Sequence, residues 1–310
     1  MMAQRKKSIS VVMAALFLLL TLTACQPSNI GQAEQSRSFS FEDYKDDEIF
    51  DIEKVQLSRE LAEKCDSYKF TYLSDGYKIK AYISIPVSAL QSSKPCKCVL
   101  FTRGGNSSMG YLDDNSTAKM CAVFDRIVIA SQYRGADGSE GKDQFGGDDL
   151  RDVIKLIDLC GNRFSFADMD DFCVAGVSRG GMMTYMAARQ DSRIKRIISV
   201  SGVCDLLCWY EQREDMQPLL KDYIGFTPQE NPSEYEKRSV VCWYDEIRIP
   251  VLMIHSKQDA RVSYQQAEER YRKLKSCNDD CDFITHDDDY HGIHAEDLTS
   301  IREFLNHSSC

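Results

Sequence analysis

Gly176-Val177-Ser178-Arg179-Gly180-Gly181 constrains this chain more than any other segment, because of what stands on either side of it. Residues 172–177 read as a short buried strand and residues 180–189 as a helix. Between them the serine must occupy a turn so tight that only glycine lets the neighbouring backbone pass. Such a turn lifts the hydroxyl clear of the sheet, and the helix N-terminus behind it favours negative charge developing there. Ser178 is therefore the candidate nucleophile.

A serine hydroxyl is a weak nucleophile and needs a base, itself oriented by a carboxylate. With this strand–turn–helix context the partners follow in the order Asp or Glu, then His. The strand at 250–255 runs into Ser256-Lys257-Gln258-Asp259, so Asp259 lies just past a strand's carboxyl end and is the candidate orienting acid. Downstream stand His286, His291, His294 and His307. His291-Gly292 falls in the loop between the last strand and the last helix, and His291 is assigned as the base. The run His286-Asp287-Asp288-Asp289-x-His291-x₂-His294 is discounted as a metal cluster, since adjacent aspartates point in different directions and no His-Glu-x-x-His spacing is present. An oxyanion hole completes the set. The backbone N–H of Arg179 supplies one donor, and Gly104 and Gly105 of Arg103-Gly104-Gly105-Asn106 are expected to supply another.

Around these motifs strands alternate with helices. Strands are expected at 98–102, 126–131, 172–177, 194–200, 250–255 and 283–285, with helices at 148–160, 180–189, 263–275 and 295–305. Ahead of them, residues 68–73 and 77–85 flank Ser74-Asp75-Gly76, a hairpin signal, and a helix is expected near 55–64. Continuous apolar strands in such an alternation argue for an α/β fold with a mostly parallel, doubly wound sheet. With the serine turn this is the α/β-hydrolase fold. Residues 205–245 interrupt the alternation and hold both tryptophans, Trp209 and Trp243, together with Tyr210, Tyr223 and Phe226. This stretch is expected to form a lid insertion over one end of the sheet, or to pack a small core of its own.

Arg5, Lys6 and Lys7 precede an apolar run from Ile9 to Leu22 that ends in Leu22-Thr23-Ala24-Cys25. A basic head, a short apolar middle and small residues at a cut site describe a secretory signal over residues 1–24. Leu-Thr-Ala-Cys further resembles the bacterial lipoprotein signal, so Cys25 is expected to carry lipid and hold the protein at a membrane of the cell envelope. Residues 25–50 are polar and without period, an expected tether, leaving 51–310 for the catalytic domain. Losing residues 1–24 takes the formal charge from −10 to −13, which argues against a nucleic-acid partner. The 13 cysteines include no paired couples at zinc-site spacing, and neither a metal ion nor an organic cofactor is required.

Taken together, Arg103-Gly104-Gly105-Asn106, Gln132-Tyr133-Arg134-Gly135, Gly146-Gly147-Asp148-Asp149, Gly176-x-Ser178-Arg179-Gly180-Gly181, His255-x₃-Asp259-x₂-Val262 and His291-Gly292 resemble the catalytic domain of the prolyl oligopeptidase family of serine peptidases. The resemblance runs from the Asp75-Gly76 hairpin to the C-terminal helix, and it implies Ser178, Asp259 and His291 as the triad. Two departures bear on substrate. Larger members carry a β-propeller, for which 310 residues leave no room. Several members place a tyrosine hydroxyl in the oxyanion hole where Arg103 stands here; Arg103 either contributes charge or pairs with an acid. The expected reaction is acyl transfer on short peptides, with a carboxylesterase as the alternative. A catalytically inactive envelope binding protein is the remaining reading, and the complete triad argues against it.

Overall fold

The computed structural model describes residues 40–307. The expected signal segment and Cys25 lie outside those residues. Among the described residues nine strands form one sheet in the order β1-β2-β3-β5-β4-β6-β7-β8-β9. They are β1 (Ile49–Lys54), β2 (Cys65–Ser74), β3 (Tyr77–Pro86), β4 (Cys96–Thr102), β5 (Ile127–Ser131), β6 (Ala167–Val177), β7 (Ile194–Val200), β8 (Val251–Ser256) and β9 (Cys281–His286). The first three and the β3–β5 pair are antiparallel. From β5 across to β9 every pair is parallel. The β2–β3 hairpin turns through Asp75 (φ 50°) and Gly76 (φ 81°), the two left-handed residues of a type I′ turn.

The parallel strands are buried on both faces, which is why they read as unbroken apolar runs. Along β8, Val251 and Met253 face one core while Leu252 and Ile254 face the other. The first core is covered by the helices Asp149–Asn162, Arg179–Gln190 and Tyr264–Lys275. The second is covered by Ser116–Phe124 and Asp297–Asn306. Helices on both faces of a largely parallel sheet are the doubly wound arrangement expected from the sequence.

The expected domain start at residue 51 needs correcting. Phe41, inside the expected tether, is fully buried against Tyr68, Phe70 and Phe164, with ring centroids 5.2–5.5 Å apart. Ile49 and Phe50 already pair with β2. These contacts make residues 41–50 part of the packed domain. The helix expected near 55–64 shrinks to the single turn Arg59–Ala62, and Ser116–Phe124 is a helix not foreseen. Eleven described cysteines are free thiols.

Between β7 and β8 the chain makes a helical excursion through Leu206–Gln212, Gln217–Ile224 and Pro232–Glu236. Its aromatics divide. Tyr235 and Trp243 are buried, the latter under the guanidinium of Arg189. Trp209, equally buried, stacks on Phe145 and donates its indole N–H to the Arg261 carbonyl, 2.8 Å away.

Candidate active site

Ser178 occupies the corner between β6 and the helix Arg179–Gln190, with φ 59° and ψ −123°. An L-residue is strained there, by about 1–3 kcal/mol, and the surroundings must hold it. They do so through its backbone: the N–H donates to the Val200 carbonyl and the carbonyl accepts from Met182 and Val203. The flanking glycines are required by contact. A Cβ at Gly180 would lie 1.9 Å from the Thr102 carbonyl oxygen, and one at Gly176 2.2 Å from the Thr102 hydroxyl.

Asp259 lies in the loop after β8 and His291 in the loop after β9. The Asp259 carboxylate and His291 Nδ1 are 2.7 Å apart. Asp259 also accepts from the N–H groups of Arg261 (2.8 Å) and Val262 (3.1 Å), and His255 Nε2 stands 3.3 Å away. His255 Nε2 is 2.9 Å from the Val262 carbonyl, which only accepts, so that nitrogen carries a proton and directs it at both oxygens. Burial opposes the negative charge on Asp259. The bonds from His255 and His291 more than offset it, and the carboxyl is held well below the usual carboxylate range. An ionised Asp259 accepts only, which puts the proton of His291 on Nδ1 and leaves Nε2 with its lone pair.

Ser178, Arg179, Gly104, Gly105 and His291 line one cavity of about 540 Å³, together with Trp209. Asp259 stands behind His291. Gly104 packs directly on the serine turn, where an added Cβ would meet the Val177 carbonyl at 2.7 Å and the Ser178 Cβ at 3.2 Å. The backbone N–H of Arg179 is the first of its helix and has no intrahelical partner. Gly105 (φ 78°) allows the loop to double back on Met109 and Gly110. Arg103 is not paired with an acid among the described residues, although it lines the same cavity. Its guanidinium donates to the carbonyls of Gln132 and Gly104 and lies 4.6 Å from the Tyr133 ring centre.

Beneath the serine lies a cluster the sequence did not reveal. The Arg179 guanidinium is buried between the Tyr133 and Phe145 rings and bonds to Asp143 (2.7 and 2.8 Å) and Asp149 (2.6 Å). Burial opposes its charge, but the two carboxylates hold the pKa above the ordinary arginine value. Asp149 in turn accepts from the N–H groups of Gly146 and Gly147. The Gly146-Gly147-Asp148-Asp149 motif therefore anchors the turn on which Ser178 stands.

A nine-stranded, mostly parallel sheet with a strained serine at a strand–helix corner defines an α/β hydrolase, and the chain is an enzyme of that class. The prolyl oligopeptidase family (Peptidase_S9) matches residues 113–307, and the chain belongs to that family. It is 32% identical over 209 residues to the uncharacterized peptidase YtmA of Bacillus subtilis, covering 67% of this chain and 79% of the relative. Dipeptidyl-peptidase 5 of Schizosaccharomyces pombe is 25% identical over 72% of this chain, but the match spans only 34% of that protein. Among solved structures, the acylaminoacyl peptidase of Pyrococcus horikoshii superimposes with a TM-score of 0.67 at 22% identity, over 78% of this chain and 41% of its own. The Pyrococcus furiosus esterase Pf2001 does so with a TM-score of 0.59 at 16% identity, over 81% and 93%. At these identities the structures show a shared fold.

Proposed function

We propose that the chain is a serine peptidase acting on short peptides through a Ser178–His291–Asp259 acyl-enzyme mechanism. The observation that carries this is the 2.7 Å contact between Asp259 and His291 Nδ1, which frees Nε2 as a base in a cavity that Ser178 also lines. Ser178 Oγ attacks the carbonyl carbon and its proton passes to His291 Nε2. The tetrahedral oxyanion is held by the N–H of Arg179 and by the Gly104–Gly105 backbone. His291 then protonates the leaving amine, and water, deprotonated at the same nitrogen, releases the acyl group. The peptidase relatives and the family support an amide substrate.

A carboxylesterase is the second reading, favoured by the apolar side chains of Met109, Phe145, Trp209 and Met216 in the cavity wall. Turnover of peptide p-nitroanilides and p-nitrophenyl acyl esters should be compared side by side. Appreciable anilide hydrolysis is expected, and ester turnover with none on any short peptide anilide would transfer the assignment to an esterase.

We also propose that the protein is exported and anchored through Cys25, on the strength of the basic head, the apolar run and Leu22-Thr23-Ala24-Cys25. Mass spectrometry of the mature N-terminus is expected to find a diacylglyceryl adduct on that cysteine. An unmodified terminus elsewhere would remove the anchor.

A further inference from the structure

The loop carrying His291 leaves the sheet at His286, the last residue of β9, and ends at His294, ahead of the helix Asp297–Asn306. The two imidazoles meet at this neck with ring centroids 3.9 Å apart. Each has one nitrogen on an outer carboxylate: His286 Nδ1 lies 3.0 Å from Glu296 and His294 Nε2 2.8 Å from Asp288. Each turns its other nitrogen toward Asp297, His286 Nε2 at 2.7 Å from one oxygen and His294 Nδ1 at 3.5 Å from the other. Asp297 is almost wholly buried and also accepts from the His294 N–H. His294 Nδ1 is buried with no hydrogen-bond partner.

Proton accounting leaves this arrangement incomplete. The 2.7 Å contact puts the proton of His286 on Nε2, donated to Asp297, while Asp288 holds the proton of His294 on Nε2 and leaves the His294 Nδ1 lone pair facing the buried carboxylate at 3.5 Å. A metal ion among the three inner donors removes the conflict, since it takes the unpartnered His294 lone pair, replaces the proton between His286 Nε2 and Asp297 and meets the negative charge, while the outer carboxylates become the partners that ligating histidines ordinarily have. The donor atoms of His286, His294 and Asp297 lie within 4.8 Å of one another. Ligands at about 2.0–2.1 Å from a tetrahedral zinc ion stand roughly 3.3 Å apart, between the 2.7 Å and 3.5 Å that separate the two histidine nitrogens from Asp297. The aspartate run plays no part in the inner set: Asp287 pairs with Lys257, and the shared carboxylate comes from the following helix.

We propose that His286, His294 and Asp297 bind a divalent transition-metal ion of the zinc class, with water in the remaining position, and that the ion clamps the neck of the loop bearing His291. Two imidazoles and one carboxylate select zinc over the oxygen-seeking calcium and magnesium. After chelation and dialysis against zinc, the mature protein is expected to retain one zinc per chain above the content of the His286→Ala/His294→Ala variant, and to melt at a higher temperature with zinc than without. Calcium and magnesium should reproduce neither effect. His294→Gln, which keeps size and hydrogen bonding, should lose the metal while remaining folded by circular dichroism, and His291→Ala should keep it. Cobalt(II) in place of zinc should give visible d–d bands without the near-ultraviolet thiolate charge transfer that cysteine binding would produce. Equal zinc in wild type and double variant, loss in His291→Ala, or a thiolate band would each overturn the site. The metal measurements stand whether or not His291 proves to be the base.

Discussion

Ser178→Ala is expected to lower kcat about 10⁶-fold, with KM and thermal midpoint close to wild type. Alanine removes only Oγ. It keeps the Cβ and with it the same backbone penalty at φ 59°, and the bonds that Ser178 itself makes to hold the corner come from its backbone atoms. Neither strain nor support changes, so stability should not either. The rate falls because the acyl-enzyme can no longer form. What remains, about 10³–10⁴ over the uncatalysed reaction in comparable enzymes, comes from the oxyanion donors and from holding substrate in place. Steady-state turnover, thermal melting and labelling with a fluorophosphonate probe check the three parts. A variant that keeps more than about 1% of turnover, or that still takes the probe in the cavity, would place the nucleophile elsewhere.

The parts of the site legible in the sequence are those set by short stretches of chain. A buried strand running into Gly176-x-Ser178-x-Gly180, a second running into Asp259 and a loop with His291-Gly292 each announce themselves within about ten residues. The register of a parallel sheet then brings the three loops to one edge, as β6, β7, β8 and β9 lie side by side. Asp143 and Asp149 were hidden for the opposite reason. They meet Arg179 from 36 and 30 residues away, and nothing in Gly-Gly-Asp-Asp says where the carboxylates point. His255 was visible only as a motif letter; its proton on Asp259 depends on how the loop after β8 folds back. The N-terminal boundary failed because β1 is an edge strand with an irregular register and mostly solvent-facing residues, so no period survives in residues 41–50. Phe41 and Ile49, both fully buried, tie that segment down, and two buried side chains eight residues apart in a polar stretch carry no periodic signal.

Asp149→Ala is expected to cost about 3–5 kcal/mol, because it leaves the buried Arg179 charge only half compensated. The side chains of Arg179 and Asp149 are 1% and 0% exposed, so water cannot replace the lost carboxylate. Removing Asp149 also orphans the N–H groups of Gly146 and Gly147. At about 2–4 °C per kcal/mol for a domain of this size, the melting midpoint should fall on the order of 10 °C. Glu63→Ala provides the contrast: its pair with Arg59 is exposed on both sides, and its loss should leave the midpoint unmoved. Replacing Asp143 and Asp149 with leucine and Arg179 with methionine together removes the charges as well as their pairing, and should recover much of the stability that the single change loses. Activity need not return with it, since the N–H of residue 179 would then rest on a repacked apolar cluster instead of a guanidinium fixed from two sides. A midpoint for Asp149→Ala within about 2 °C of wild type would mean that the cluster does not bear on folding, and that the serine turn is held by the sheet alone.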